Sequence, residues 1–176
     1  EEYFKRKSVF FDDKGKFHDD NDERALFFCR GVIATVKKLG WSPDIIHVHG
    51  WMAALLPLYL KEFHSDDPLF MDTKVISSIY SFDYCEPFTE KLLNGLNFDG
   101  VNSKHLKNFE SADVECLSKA GVRYSDAVIR HKDVNGSLGS LIDELHPNAL
   151  LVENVADEIA QIERFYEQVT QEVIAL

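Results

Sequence analysis

The sequence predicts an α/β fold built on a parallel sheet flanked by helices. Three observations point there. The run Asp44 to His49 is short and apolar and follows a Ser-Pro turn signal, which suits a buried strand of the kind found in parallel sheets. Gly50 ends that strand, and Trp51 opens an apolar run of helical character through Leu55, Leu56, Tyr59 and Phe63. A second core strand, Val75 to Tyr80, is followed by another helical pattern from Lys104 onward, with Leu106, Phe109, Val114, Leu117 and Ala120 on its inner side.

The remaining elements follow in chain order. Ser8-Val9-Phe10-Phe11 and the residues around Phe17 flank Asp12-Asp13-Lys14-Gly15-Lys16, which reads as a hairpin-like entry over 1–20 with its turn at Lys14-Gly15. Asp12, Asp13, Asp19, Asp20 and Asp22 lack the Gly and distal Glu of a calcium loop, so they read as solvated turn residues. Asp20 and Glu23 are spaced as a capping box for a helix whose apolar face is Ala25, Phe28, Cys29, Val32, Val36 and Leu39. Lys37 and Lys38 suit the end of its dipole, Gly40 closes it, and Arg24 and Arg30 read as surface groups.

Pro57 inside the next helical run should kink it, because proline removes a backbone hydrogen bond. Ser65 to Pro68 is a loop, and Ser81 to Ser103 reads as loop-rich, interrupted by Pro87, Gly95 and Gly100. Gly136 and Gly139 fit no phosphate-loop pattern and read as a turn before a helix over Leu138 to Leu145. Leu150 to Val152 is a short strand. Glu158 to Leu176 is a terminal helix with a stripe of Ile159, Ile162, Phe165, Tyr166, Val169 and Val173. That stripe reads as core, with pairing of two chains into a homodimer as the alternative.

Composition sets bounds on function. The chain has 176 residues, 45% of them hydrophobic, enough for one globular domain with a sizeable core, here an α/β core and terminal helix over 21–176. A formal net charge of -11 disfavours nucleic acid and anionic membrane as partners but does not repel a neutral polymer. Cys29, Cys85 and Cys116 are odd in number, widely spaced and outside any Cys-x-x-Cys pair, which predicts a reducing, cytoplasmic setting. No apolar run is long enough to span a bilayer, and no signal-peptide pattern is present. The chain begins with Glu1 rather than Met, so it is expected to be the N-terminally truncated part of a longer protein.

The chemistry concentrates around the first strand. His47 and His49 alternate with Val48, so both imidazoles point to one face. Polar and aromatic groups at the carboxyl end of such a strand lie where open α/β sheets bind ligands. Two readings stand for each: His47 is a ligand contact or a satisfied interior histidine, and Trp51 stacks on a ligand or plugs the core beneath the helix. No third ligand is spaced near His47 and His49, so no metal is predicted.

This stretch resembles the bacterial glycogen synthase and starch synthase family. The family's run reads Gly-Trp-x-Pro-Asp-Ile-Ile-His-x-His-Asp-Trp-His, then Ala-Leu-Leu-Pro. The chain keeps Gly40, Trp41, Pro43, Asp44, Ile45, Ile46, His47, His49 and Trp51, with Ala54 to Lys61 behind them. It departs at Gly50, where the family has Asp, and at Met52, where it has His. A second landmark, Lys-x-Val-x-Thr-x-His-Asn in the family, falls on Lys74 to Ser81, with Tyr80 in the position of the cleft histidine and Ser81 in that of Asn. A third, Leu-Lys-Ala-Gly-x-x-Tyr-Ala-Asp-x-Val, falls on Leu117 to Ile129, after which the likeness ends.

The resemblance implies the N-terminal, Rossmann-like half of a GT-B glycosyltransferase. The family reaction is transfer of glucose from ADP-glucose or UDP-glucose to an α-1,4-glucan, with retention. It implies a glucan-facing cleft of His47, His49, Gly50, Trp51, Met52, Tyr80 and Ser81, with no metal and no cofactor. In the family the donor is held mainly by a second Rossmann domain, so transfer by this chain would need a separate donor-binding polypeptide. No residue is assigned a catalytic role, since tyrosine at 80 has no group titrating near neutrality. The alternative is a catalytically inactive synthase-like module that binds glucan or regulates a complete synthase.

Overall fold

The computed structural model describes residues 3, 5–82, 87–101, 109, 112–153 and 158–171. Four strands, β1 (Ile45–His49), β2 (Lys74–Ile79), β3 (Ala127–His131) and β4 (Leu150–Val152), form one sheet in sequence order, each parallel to its neighbours. Helices α1 (Asn21–Leu39), α2 (Leu56–Phe63), α3 (Glu90–Phe98), α4 (Val114–Tyr124), α5 (Gly136–Leu145) and α6 (Glu158–Gln171) surround it. This is the α/β architecture with helix-flanked parallel strands that the sequence predicts.

The pleat divides the core in two. The register sets His49 beside Ser78 and Ser78 beside Ile129, so His47, His49, Ile76, Ser78, Ile129 and His131 share one face. Ile76, Ile129 and Val152 on that face pack against Phe165 and Val169 of α6. On the opposite face Val128 and Ile79 meet Leu138, Leu141 and Ile142 of α5, while Val48 and Val75 join the larger core with α1, α2 and α4.

The entry segment closes with a single antiparallel bridge, Phe11 to Phe17. Its turn is held by Asp12, whose Oδ1 accepts from the backbone N–H groups of Lys14 and Lys16, 2.8 Å each. Those bonds hold the Asp12 carboxyl below its ordinary range, a turn role rather than a calcium role. Gly15 sits at φ +78°, as the turn requires.

Several expectations are corrected. Helix α1 starts and stops as predicted, and Gly40 closes it at φ +63° by donating to the Val36 and Lys37 carbonyls. Its buried side, however, is Asp22, Ala25, Leu26, Cys29 and Ile33. Phe28 and Leu39 are exposed, because α1 packs against the 3-10 turn and the helices around it with a face about one residue round from the expected stripe. Asp20 makes no capping bond; its carboxylate is taken by Arg6 at 2.6–2.7 Å, which holds it below the ordinary range. Arg24 is not a surface group. It is 1% exposed and donates to the Val9 carbonyl and to Asn21 Oδ1, tying the entry segment to α1. Arg30 remains at the surface and pairs with Asp99 at 2.6 Å.

Pro57 does not kink a helix. Trp51–Ala53 forms a separate 3-10 turn, and Pro57 lies in the first turn of α2, where no intrahelical partner for its nitrogen is lost. The expected loop over 81–103 contains α3, capped by Thr89, whose hydroxyl accepts from Lys91 N. Gly95 is there for close approach: a Cβ at that position would stand 2.3 Å from Leu26 Cδ1 of α1. Of the helix expected from Lys104, the described part is α4, capped by Asp113 accepting from Cys116 N at 2.7 Å. Leu106 and Val173 lie outside the described residues. On α6, Ile159 is exposed rather than part of the buried stripe.

Candidate functional site

The carboxyl ends of β1, β2 and β3 bring together groups far apart in sequence. His47 and His49 lie side by side with ring centroids 4.1 Å apart, as their alternation with Val48 predicts. His47 is half-buried and both its ring nitrogens are engaged: Nδ1 is 2.6 Å from Tyr166 Oη on α6, and Nε2 is 2.8 Å from Ser78 Oγ on β2. That is the interior, satisfied reading of the residue. His49 is exposed, and its Nδ1 lies 2.9 Å from Tyr80 Oη.

Tyr80 is 38% exposed, and one ring face stacks on His131 at 4.1 Å. His131, from the end of β3, faces Glu158 of α6, with Nε2 3.9 Å from Oε1. The result is a continuous file: Tyr166, His47, His49, Tyr80, His131, Glu158. Burial holds His47 down to about 4, with the neighbouring His49 and His131 adding to the effect. Burial also lowers His49 and His131 below the ordinary imidazole value, against the opposing pull of Glu158. At neutral pH all three rings are therefore uncharged hydrogen-bonding groups. Burial raises Tyr80, so its hydroxyl stays protonated.

The other expected cleft residues are placed differently. Trp51 is 4% exposed and sits among Phe10, Phe17 and Phe88, with centroids 5.1–5.6 Å away, so its faces are occupied by protein. Met52 packs partly buried against the same core, and its carbonyl accepts from Cys29 Sγ at 3.7 Å. Gly50 joins the two regions with φ +66° and ψ -177°, backbone that only glycine adopts without strain, and its N–H donates to the Ser78 carbonyl. Ser81 is exposed at the mouth of a cavity of about 250 Å³. That cavity lies beyond Tyr80 and is walled by Glu115, Asp133, Asn135 and Leu138. Among the described residues no group of three or more His, Cys, Asp or Glu side chains is arranged to hold a metal ion.

Sequence reasoning missed Ser78, His131, Glu158 and Tyr166. The signal for His131 was present: continuing the two-residue alternation past Ile129 puts it beside His49 and Tyr80 on the same face. Tyr166 and Glu158 required knowing which sheet face α6 covers.

A doubly flanked parallel sheet with its polar groups gathered at the carboxyl ends of the strands defines a Rossmann-like α/β domain. The starch synthase catalytic domain family model matches residues 1–131, and the chain belongs to that family. A glycogen synthase of Chlorobium limicola is 33% identical over 156 residues, covering 82% of this chain and 31% of the relative. A glycogen synthase of Chlorobium luteolum is 43% identical over 82 residues, covering 46% of this chain and 17% of its own. The catalytic domain of starch synthase IV from Arabidopsis thaliana, solved bound to ADP and acarbose, superimposes with a TM-score of 0.63 at 18% identity. That match covers 86% of this chain and 32% of the other, and it establishes the shared fold. The chain spans about a third of the length of the curated relatives it matches. It is a glycogen/starch synthase-like domain.

Proposed function

We propose that this domain binds the α-1,4-glucan acceptor of a glucosyl transfer, the donor being ADP-glucose or UDP-glucose held by a separate donor-binding domain and the stereochemistry retaining. The observation that supports this reading most is the set His49, Tyr80 and Ser81 beside the cavity at the strand ends. An exposed aromatic edge with neutral donors and acceptors around it suits sugar hydroxyls, and Glu115 and Asp133 would disfavour an anion in the same space. The buried thiols of Cys29 and Cys116, the former pushed up to about 12 by burial, fit a cytoplasmic setting.

A second reading is a domain without turnover that binds glucan or regulates a complete synthase. Two features favour it. Met52 is turned into the core, and Gly50 holds a backbone that the family's Asp would not adopt freely.

Calorimetric titration with a maltooligosaccharide tests the glucan site. Saturable binding that Tyr80→Ala and His49→Ala each weaken at least tenfold is expected. Absence of binding by the folded wild-type protein would remove the glucan assignment. Parallel titrations with ADP-glucose and UDP-glucose are expected to show no saturation without a donor-binding domain.

A further inference from the structure

The file of rings beneath α6 has a consequence independent of any sugar. Helix α6 touches it at two places. Tyr166 Oη meets His47, and about two helical turns earlier Glu158 stands 3.9 Å from His131 Nε2. Between these points the seat is imperfectly matched: among the described residues His131 Nε2 and Gln161 Oε1 are buried with no hydrogen-bond partner. Around them Phe165 and Val169 of α6, with Ile162 and Tyr166 partly buried beside them, pack against Ile76, Ile129 and Val152 and against the partly buried Ile45, Ala127 and Leu150.

The groups facing the three imidazoles are few. From β2 come Ser78 and Tyr80, from the turn after β3 Asp133, and from α6 Glu158 and Tyr166. The two carboxylates therefore lie at the His131 end. Among the described residues the His47 end offers a phenol and a serine hydroxyl and no carboxylate in contact. A charged His47 would face a charged His49 at 4.1 Å, whereas a charged His131 would gain Glu158.

We propose that α6 is a proton-operated clasp: it lies closed on the sheet while His47, His49 and His131 are neutral, and its second half, from Tyr166 onward, lifts when they take up protons, hinging on Glu158. The sign follows from linkage. His47 is held near 4 against an ordinary 6.5, and His49 and His131 are also lowered. Groups lowered by folding stabilise the closed form fully above about 6.5, and that contribution drains away as pH falls toward 4.

Amide hydrogen exchange on the whole chain, corrected for the intrinsic pH dependence of exchange, tests this. Protection over 163–171 is expected to fall at least tenfold between pH 7.5 and 5.0 relative to α4, and less over the first turn of α6. A His47→Gln, His131→Gln double variant, which keeps only His49 of the three, is expected to show a markedly smaller pH dependence. Equal loss in α6 and α4, or an unchanged pH dependence in the double variant, would overturn the proposal. Should the double variant not fold, proton NMR titration of the wild-type imidazoles decides: His47 titrating near 6.5 would also overturn it.

Discussion

The two faces of the sheet near its carboxyl end solve the same packing problem with opposite chemistry. On one side, Trp51 and the phenylalanines at 10, 17, 82 and 88 fill the space with aromatic carbon. On the other, His47 and His131 meet α6 through Tyr166 and Glu158, and His49 stands beside His47 as a third polar ring. Dispersion and burial of apolar area are indifferent to pH near neutrality, whereas desolvated imidazoles are not. The domain is thus expected to have a fixed half, which anchors the entry segment and the 3-10 turn, and a conditional half, which carries α6.

The largest effect tests the fixed half. Trp51→Ala should destabilise the protein by about 3–5 kcal/mol, because a fully enclosed indole leaves a cavity that the surrounding rings cannot close. Equilibrium denaturation at pH 7.5 and pH 5.5 should give the same difference at both. A loss under 1 kcal/mol would mean that the aromatic cluster is not a core. A pH-dependent difference would mean that the two halves are coupled.

Next is the seam. Gly50 is intermediate in exposure, and a Cβ there would lie 3.9 Å from Tyr80 Cδ2, an ordinary contact, so space is not the obstacle. The backbone is: φ +66° with ψ -177° strains any L side chain. Gly50→Asp and Gly50→Ala should therefore cost similar amounts, about 1–3 kcal/mol, read from denaturation midpoints. If Asp were neutral while Ala was costly, the carboxylate would be finding a partner, and the departure from the family at this position would be chemical rather than conformational.

This seam also shows what the sequence could and could not reveal. The strands, α1 and its glycine stop were legible because periodicity and capping are local properties. His47 and His49 sharing a face followed from the pleat alone. Arg24 and Gly95 were misread for one reason: each answers a contact distant in sequence. Arg24 meets the carbonyl of Val9, and Gly95 meets Leu26 of another helix. Alone, the one looks like a surface charge and the other like a helix breaker. Pro57 was misjudged because its effect depends on where the helix begins, and the 3-10 turn ahead of it moved that point. At the site, the two residues of the first strand were visible, but the groups around them, Ser78, His131 and Tyr166, come from three other elements.

The smallest effect sharpens the contrast. Tyr166→Phe keeps the ring against His47, edge-on at 5.6 Å, and removes only the hydroxyl. His47 Nδ1 then loses its partner in a half-buried position, which should cost about 1 kcal/mol at pH 7.5, measured by denaturation and as reduced exchange protection over α6. The pH dependence of that cost is the informative part. If α6 already lifts from Tyr166 onward as the imidazoles charge, the wild-type protein has lost the same bond by pH 5, and variant and wild type should converge there. Trp51→Ala offers no such convergence, because neither the indole nor the phenylalanine rings around it carry a titratable group. A Tyr166→Phe difference that held constant from pH 7.5 to 5 would show that the phenol stays on His47 throughout, and the conditional half would be as fixed as the aromatic one.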